Sequence, residues 1–263
     1  MAIIDQVTLR TGVADWLNRS DLTDAQLDDF ISIGEARIYE ALRVPTLEVI
    51  QSFSVTSTNS SIIIPAGLLE VKEIKLDATD KDDDVVLSRV DSKTFTNNKI
   101  SHAYTRAAGN FLLTDKSGNQ EASGTYTITY YKADDPIGTY SSTATTAGSF
   151  VVGKYYTILT VGNTSFTGIG ASANTVGIIF KATGVGSGTG TANVETIPWI
   201  LGTEFETILF AAGGVGSTFL GDTEMEEKFN GLSANKIKAL NDKETRASMK
   251  GGAFHAAFSD GLL

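Results

Sequence analysis

Two histidines, one acidic run and two glycine clusters are the groups in this chain best suited by type to chemistry, and there is no cysteine to widen the choice. His102 and His255 carry no local pattern of a nucleophile, base and orienting acid, so neither is expected to be catalytic. Asp80-Lys81-Asp82-Asp83-Asp84, followed by Asp91, partly imitates a calcium loop. Val85 stands where such a loop needs glycine for its sharp turn, and Asp91 replaces the bidentate glutamate, so the run reads as a solvated acidic turn. Gly168-Ile169-Gly170-Ala171-Ser172-Ala173 fits a loosened dinucleotide fingerprint without the helix or the later acid that would complete it. Gly184 to Gly190 lacks the Gly-Lys-Ser/Thr ending of a phosphate loop. Tyr126, Tyr130, Tyr131, Tyr155 and Tyr156 could stack on bases or sugars, but basic residues are not interleaved among them, so sheet packing is the expectation. No catalytic residue, cofactor or metal is expected.

The elements that would position any site begin with a capped amphipathic helix. Leu27, Phe30, Ile31, Gly34, Ile38 and Leu42 share one helical face. Thr23 and Gln26 stand at capping-box spacing, Asp24, Asp28 and Asp29 favour the N-terminal end, and Arg43 is placed in the last turn. Pro45 disfavours helical geometry at Val44 and ends the element. A first helix within 5–18, on Val7, Leu9, Val13, Trp16 and Leu17, is expected to pair with it as an αα-hairpin. From Leu47 the period becomes two. Strands are expected through Val49–Val55, Ile62–Ile64, Leu69–Leu76 and Val85–Val90, with Asp91 capping a turn of helix. Asn110–Thr114 and Gly124–Tyr131 read as an antiparallel pair.

Between Thr139 and Asn193 the only charges are Lys154 and Lys181, in a background of Gly, Thr and Ser. The apolar residues Tyr155, Tyr156, Ile158, Leu159, Phe166, Ile178, Ile179 and Phe180 favour an inserted β-module over a disordered linker. Strands are expected at Ser149–Val152, Tyr155–Val161 and Val176–Ala182. Helical spacing returns with Phe205, Ile208, Leu209, Ala212, Val215 and Phe219, and the glycines Gly213, Gly214 and Gly216 imply a closely packed neighbour. Gly221 ends that helix, and Thr223 with Glu226 is read as a second capping box. The net charge of −10 argues against a duplex-gripping surface. No apolar run reaches the roughly 20 residues that span a bilayer, and the start lacks a secretory pattern.

In this order the segments resemble the head-to-tail adaptor (connector) proteins of tailed bacteriophages. The resemblance rests on Asp21-Leu22-Thr23 through Phe30-Ile31 to Glu35-Ala36-Arg37-Ile38 and Leu42-Arg43-Val44, and on Ile64-Pro65-Ala66-Gly67-Leu68-Leu69-Glu70-Val71 entering a strand. Leu209-Phe210-Ala211-Ala212 and Phe219-Leu220-Gly221-Asp222 extend it, so that it covers roughly 1–138 and 194–250. The block from Gly148 through Phe166 to Gly184 looks like a small module that recurs in phage structural proteins, which the adaptor core does not normally contain.

The resemblance implies a ring, usually of twelve copies, below the portal, with a helical wall, a β-region toward the tail and a C-terminal tail reaching into the portal. The fold expected is α+β: a helical hairpin at 1–46, an antiparallel β-sandwich or barrel at 47–138, an inserted module at 139–193, and C-terminal helices at 194–250 completing the bundle. The tail, 251–263, adds Phe254, His255, Phe258, Leu262 and Leu263 to Met249 as candidate portal contacts. Asp24, Asp28, Asp29, Glu35 and Glu40 are candidates for the channel or the subunit interface. The function expected is that of a structural, non-enzymatic virion protein at the neck, assembled in the host cytoplasm. Its partners would be itself, the portal and a tail or nozzle protein; DNA would pass transiently, and no membrane is involved. The alternative is a tail component that binds carbohydrate or a host surface through the inserted module.

Overall fold

A computed structural model describes residues 3–77, 84–97 and 99–248. In chain order its elements are α1 (Gln6–Trp16), α2 (Asp24–Ala41), β1 (Glu48–Val55), β2 (Ser61–Ile63), β3 (Leu68–Leu76), β4 (Val85–Val86), β5 (Ser88–Arg89) and α3 (Ser92–Asn97). These are followed by β6 (Ala103–Ala107), β7 (Asn110–Leu113), β8 (Gly124–Lys132), β9 (Tyr140–Thr146), β10 (Tyr155–Thr160), β11 (Ile179–Lys181) and β12 (Thr191–Glu195). Three helices close the described chain: α4 (Trp199–Thr203), α5 (Phe205–Leu220) and α6 (Thr223–Ser248). The α+β class expected from the sequence is the one found, with helices at both ends of a mostly antiparallel β region. The chain forms two compact units. One holds the chain up to Ala41 together with Asp135–Ala239, the other Leu42–Asp134 with the end of α6 from Leu240.

In the first unit, local chemistry sets each helix start. Thr23 N donates to Gln26 Oε1 at 2.9 Å and Gln26 N to Thr23 Oγ1 at 3.3 Å, the reciprocal box read from the sequence. Asp5 caps α1 in the same way, accepting from Thr8 N at 2.8 Å while Thr8 Oγ1 accepts from Asp5 N at 3.1 Å. α2 and α5 pack through small residues. A Cβ on Gly34 would stand 2.8 Å from Ala212 N, and on the α6 side of α5 one on Gly213 would meet the Phe229 ring at 3.2 Å. Gly216 similarly faces Phe30, so the glycines of α5 serve close approach, as their spacing implied. Two details differ from the sequence reading. Helix α2 stops at Ala41, so Arg43 lies beyond its last turn. Helix α6 is capped by Asp222, whose Oδ1 accepts from Met225 N at 3.0 Å, and Thr223 is already helical.

The low-charge segment of the same unit is an ordered four-stranded sheet in the order β11-β10-β12-β9, antiparallel throughout. Phe150, Tyr156, Phe166 and Phe180 form its core, with ring centroids 5.0–6.0 Å apart. Ser149–Val152 is irregular chain between two turns rather than the expected strand. Gly148 (φ 97°) and Gly153 (φ 89°) bend the chain on either side of it, and Phe150 drops into the core. Strand β12 (Thr-Ala-Asn-Val-Glu) alternates only two small apolar residues, Ala192 and Val194, and β9 is a Ser/Thr-rich edge strand.

The second unit packs two four-stranded sheets, β1-β8-β3-β4 and β2-β7-β6-β5, around one core. Strand β8 lies between β1 and β3, which explains why Tyr126, Thr127, Ile128, Thr129 and Tyr130 are all buried. The expected pairing of Asn110–Thr114 with Gly124–Tyr131 does not occur. Strand β7 pairs with β2 and β6, and the chain then changes sheets through a turn in which Asp115 Oδ1 accepts from Ser117 N and Asn119 N, each at 2.8 Å. Val85–Val90 likewise divides between the sheets at buried Leu87. Strand β5 joins β6 in parallel, the one parallel pair among the described strands.

Candidate functional site

The five acids assigned to the first helical hairpin do not form a single exposed row. Asp28 receives a two-pronged ion pair from Arg10 on α1, Nε to Oδ1 at 2.6 Å and Nη2 to Oδ2 at 2.5 Å, and Gln6 Nε2 adds a bond at 2.9 Å. Asp24 takes the remaining Arg10 nitrogen at 3.3 Å. Glu35 is 6% exposed, which removes it from the solvent-facing side; its carboxylate accepts the Ile137 amide at 3.2 and 3.3 Å. Asp29 and Glu40 remain exposed on α2. Beside them the helical surface carries uncovered apolar groups: Ile33 is 46% exposed and Phe219, whose ring lies 5.3 Å from that of Phe30, is 59% exposed. Ile33 is one turn on from Phe30, so α2 and α5 present these side chains on neighbouring positions. The tail candidates Met249, Phe254, His255, Phe258, Leu262 and Leu263 lie outside the described residues.

A buried acidic pair was missed in the sequence. Asp5 and Glu195 line a cavity of about 300 Å³ with Ile4, Lys154, Tyr155 and Ile197. Glu195 accepts the Gln6 amide at 2.9 Å. Burial pushes its carboxyl above the ordinary value, and the negative charge of Asp5 adds to this. Tyr140 is pushed up to about 12 by burial, then by Glu195. Glu195 is the first acid after the low-charge block, the one signal in the sequence that sets it apart.

The chemistry-bearing residues of the sequence reading are spread apart. His102 adopts φ 48° in the loop before β6, and its buried Nδ1 meets no hydrogen-bond partner among the described residues. Of the acidic run, Asp80 to Asp83 fall outside the described residues, Asp84 pairs with Lys75 at 2.6 Å, and Asp91 caps α3 through the Lys93 and Thr94 amides at 3.0 Å. Tyr126 and Tyr130 fill the core of the second unit, whereas Tyr156 fills that of the low-charge sheet. Tyr155 lies under Lys181 Nζ, 5.3 Å from the ring centroid. Gly170, at φ 108°, closes a turn whose backbone abuts the Lys181 carbonyl, leaving no cradle for a phosphate.

No helix among the described residues is long and apolar enough to cross a membrane. The family model described as SU10 adaptor protein matches residues 7–152, from α1 through β9 to the turn at Val152. Helices α4 to α6 lie beyond that match. No curated protein matches the chain. Since the matched span is more than half of its 263 residues, this protein belongs to the SU10 adaptor protein family, a family of phage head-to-tail adaptors.

Proposed function

We propose that the protein assembles as a ring between portal and tail and passes DNA through its channel, with helices α2 and α5 forming the contact between copies. The observation that carries this reading is the pair of uncovered apolar side chains, Ile33 and Phe219, on the helices of an adaptor. Large exposed apolar groups on adjoining helices are what an assembly interface would cover. The acidity supports the passage of DNA, because a net charge of −10 repels phosphate rather than gripping it. Asp29 and Glu40, exposed on α2, are the acids of the original five best placed to face a channel or a neighbour. Residues 249–263, with their aromatic and leucine anchors, are assigned to the portal.

The low-charge sheet gives the carbohydrate reading little to work with, because its phenylalanines and Tyr156 point into its own core. Native mass measurement and negative-stain imaging of the purified full chain, alone and with a portal, test the proposal. Closed rings that bind the portal, and lose it when 249–263 are deleted, are the expected result. A monomer that never associates with a portal would refute it.

A further inference from the structure

The second unit carries a small cavity unlike the rest of this acidic protein. Its volume is about 160 Å³, and Val71, Tyr104 and Phe111 contribute apolar walls while Arg89, Arg106 and Glu70 contribute charge. The strand register explains the arrangement. Arg89 on β5 stands opposite Tyr104, and Arg106 follows Tyr104 by two residues on β6 and stands opposite Phe111. Residues directly opposite or two apart share a sheet face, so both arginines stand on the face that carries Tyr104 and Phe111. Those rings are 7% and 2% exposed and meet edge to face, while both arginines are exposed. Neither guanidinium makes an ion pair or hydrogen bond with a described residue; Arg10, Arg19 and Arg43 are paired, and Arg37, also without such a partner, lies on α2 away from any described cavity. Glu70, the acid of this cavity, already accepts from Arg43 Nε at 2.7 Å.

We propose that this cavity docks an acidic side chain from a protein neighbour, with Arg89 and Arg106 gripping its carboxylate and the apolar walls receiving the residues beside it. Two adjacent guanidinium forks match a carboxylate in geometry and charge. The cavity is too small for a nucleotide, since pockets for such ligands run from about 300 Å³ upward. One isolated arginine pair in a chain of charge −10 is not the basic track that a nucleic-acid backbone requires. The inference stands apart from the ring reading and holds whatever the oligomeric state.

The test uses the full-length protein and a rhodamine-labelled peptide of alternating leucine and glutamate, followed by fluorescence anisotropy. The wild type should bind it more tightly than the leucine–glutamine counterpart by about tenfold or more, the scale of hydrogen bonds to a charged group. The R89A/R106A variant, whose exposed side chains leave the core untouched, should lose that preference with its circular dichroism unchanged. R89K/R106K should recover it only in part, because lysine keeps the charge and loses the fork. Equal binding of the two peptides, or undiminished binding by R89A/R106A, would overturn the proposal. Displacement of the peptide by a tighter-binding oligothymidylate would overturn it too, by reassigning the arginines to nucleic acid.

Discussion

At Gly34 the backbones of α2 and α5 approach so closely that one methyl group matters. The atoms it would strike, Ala212 N and the Ala211 carbonyl carbon, belong to a helix backbone and cannot swing aside. Gly34→Ala should therefore destabilise the first unit by about 1–3 kcal/mol, the usual cost of overpacking, as measured by urea unfolding. Glu195 makes a prediction of the opposite kind. Its pKa is raised on folding, so the folded protein holds the proton more tightly than the unfolded chain does. Stability should fall as pH rises from the ordinary 4.5 through the raised folded value. Glu195→Gln removes that fall, and at neutral pH the variant should be no less stable than wild type, since Gln can still accept the Gln6 amide. Urea unfolding of both proteins across pH checks the sign. The effect is separable from Asp115, which the Asn119 amide holds below 3.8 and whose contribution is lost at still lower pH.

Among the elements, the start of α6 distinguishes a pattern from a bond. Thr223 and Glu226 match the capping-box spacing, yet Asp222 makes the bond to the helix amide. Asp222→Ala should cost about 1 kcal/mol, and Thr223→Ala about 0.5 kcal/mol or less, in thermal or urea unfolding. The low-charge sheet depends on its aromatic cluster. Phe150→Ala removes a ring that contacts Tyr156, Phe166 and Phe180, at a cost of about 3–5 kcal/mol. Hydrogen exchange should then show β10 to β12 losing protection while β1, β3 and β8 keep theirs. That ring sits in irregular chain bracketed by positive-φ glycines, so alternation alone could not reveal it.

For the whole molecule, the family is that of a structural phage adaptor, and an adaptor's place is the virion neck that the proposed function assigns to it. The proposed assembly turns on Ile33 and Phe219. Replacing either with aspartate should convert rings to smaller species in native mass spectrometry while the circular dichroism stays unchanged, because both side chains are exposed in the single copy. Persistence of the ring in both variants would place the contact elsewhere.

What the sequence determined by itself is local: the Thr23–Gln26 cap, the helical faces of α2 and α5, the tight glycines, and the β character of the low-charge block. Each follows from residues a few positions apart, where propensity, capping and periodicity act. Only the tertiary structure decided which strands pair, because β7 and β8 have compatible patterns with each other and with several partners. The turn at Asp115 sends them to different sheets. It also decided the fate of the charges. The acids of α2 are alike in type, but Arg10 claims Asp28, the Ile137 amide claims Glu35, and Asp29 stays in solvent. Arg89 and Arg106 reach one cavity because β5 and β6, joined through α3, lie side by side in parallel, a pairing that neither strand's own pattern announces.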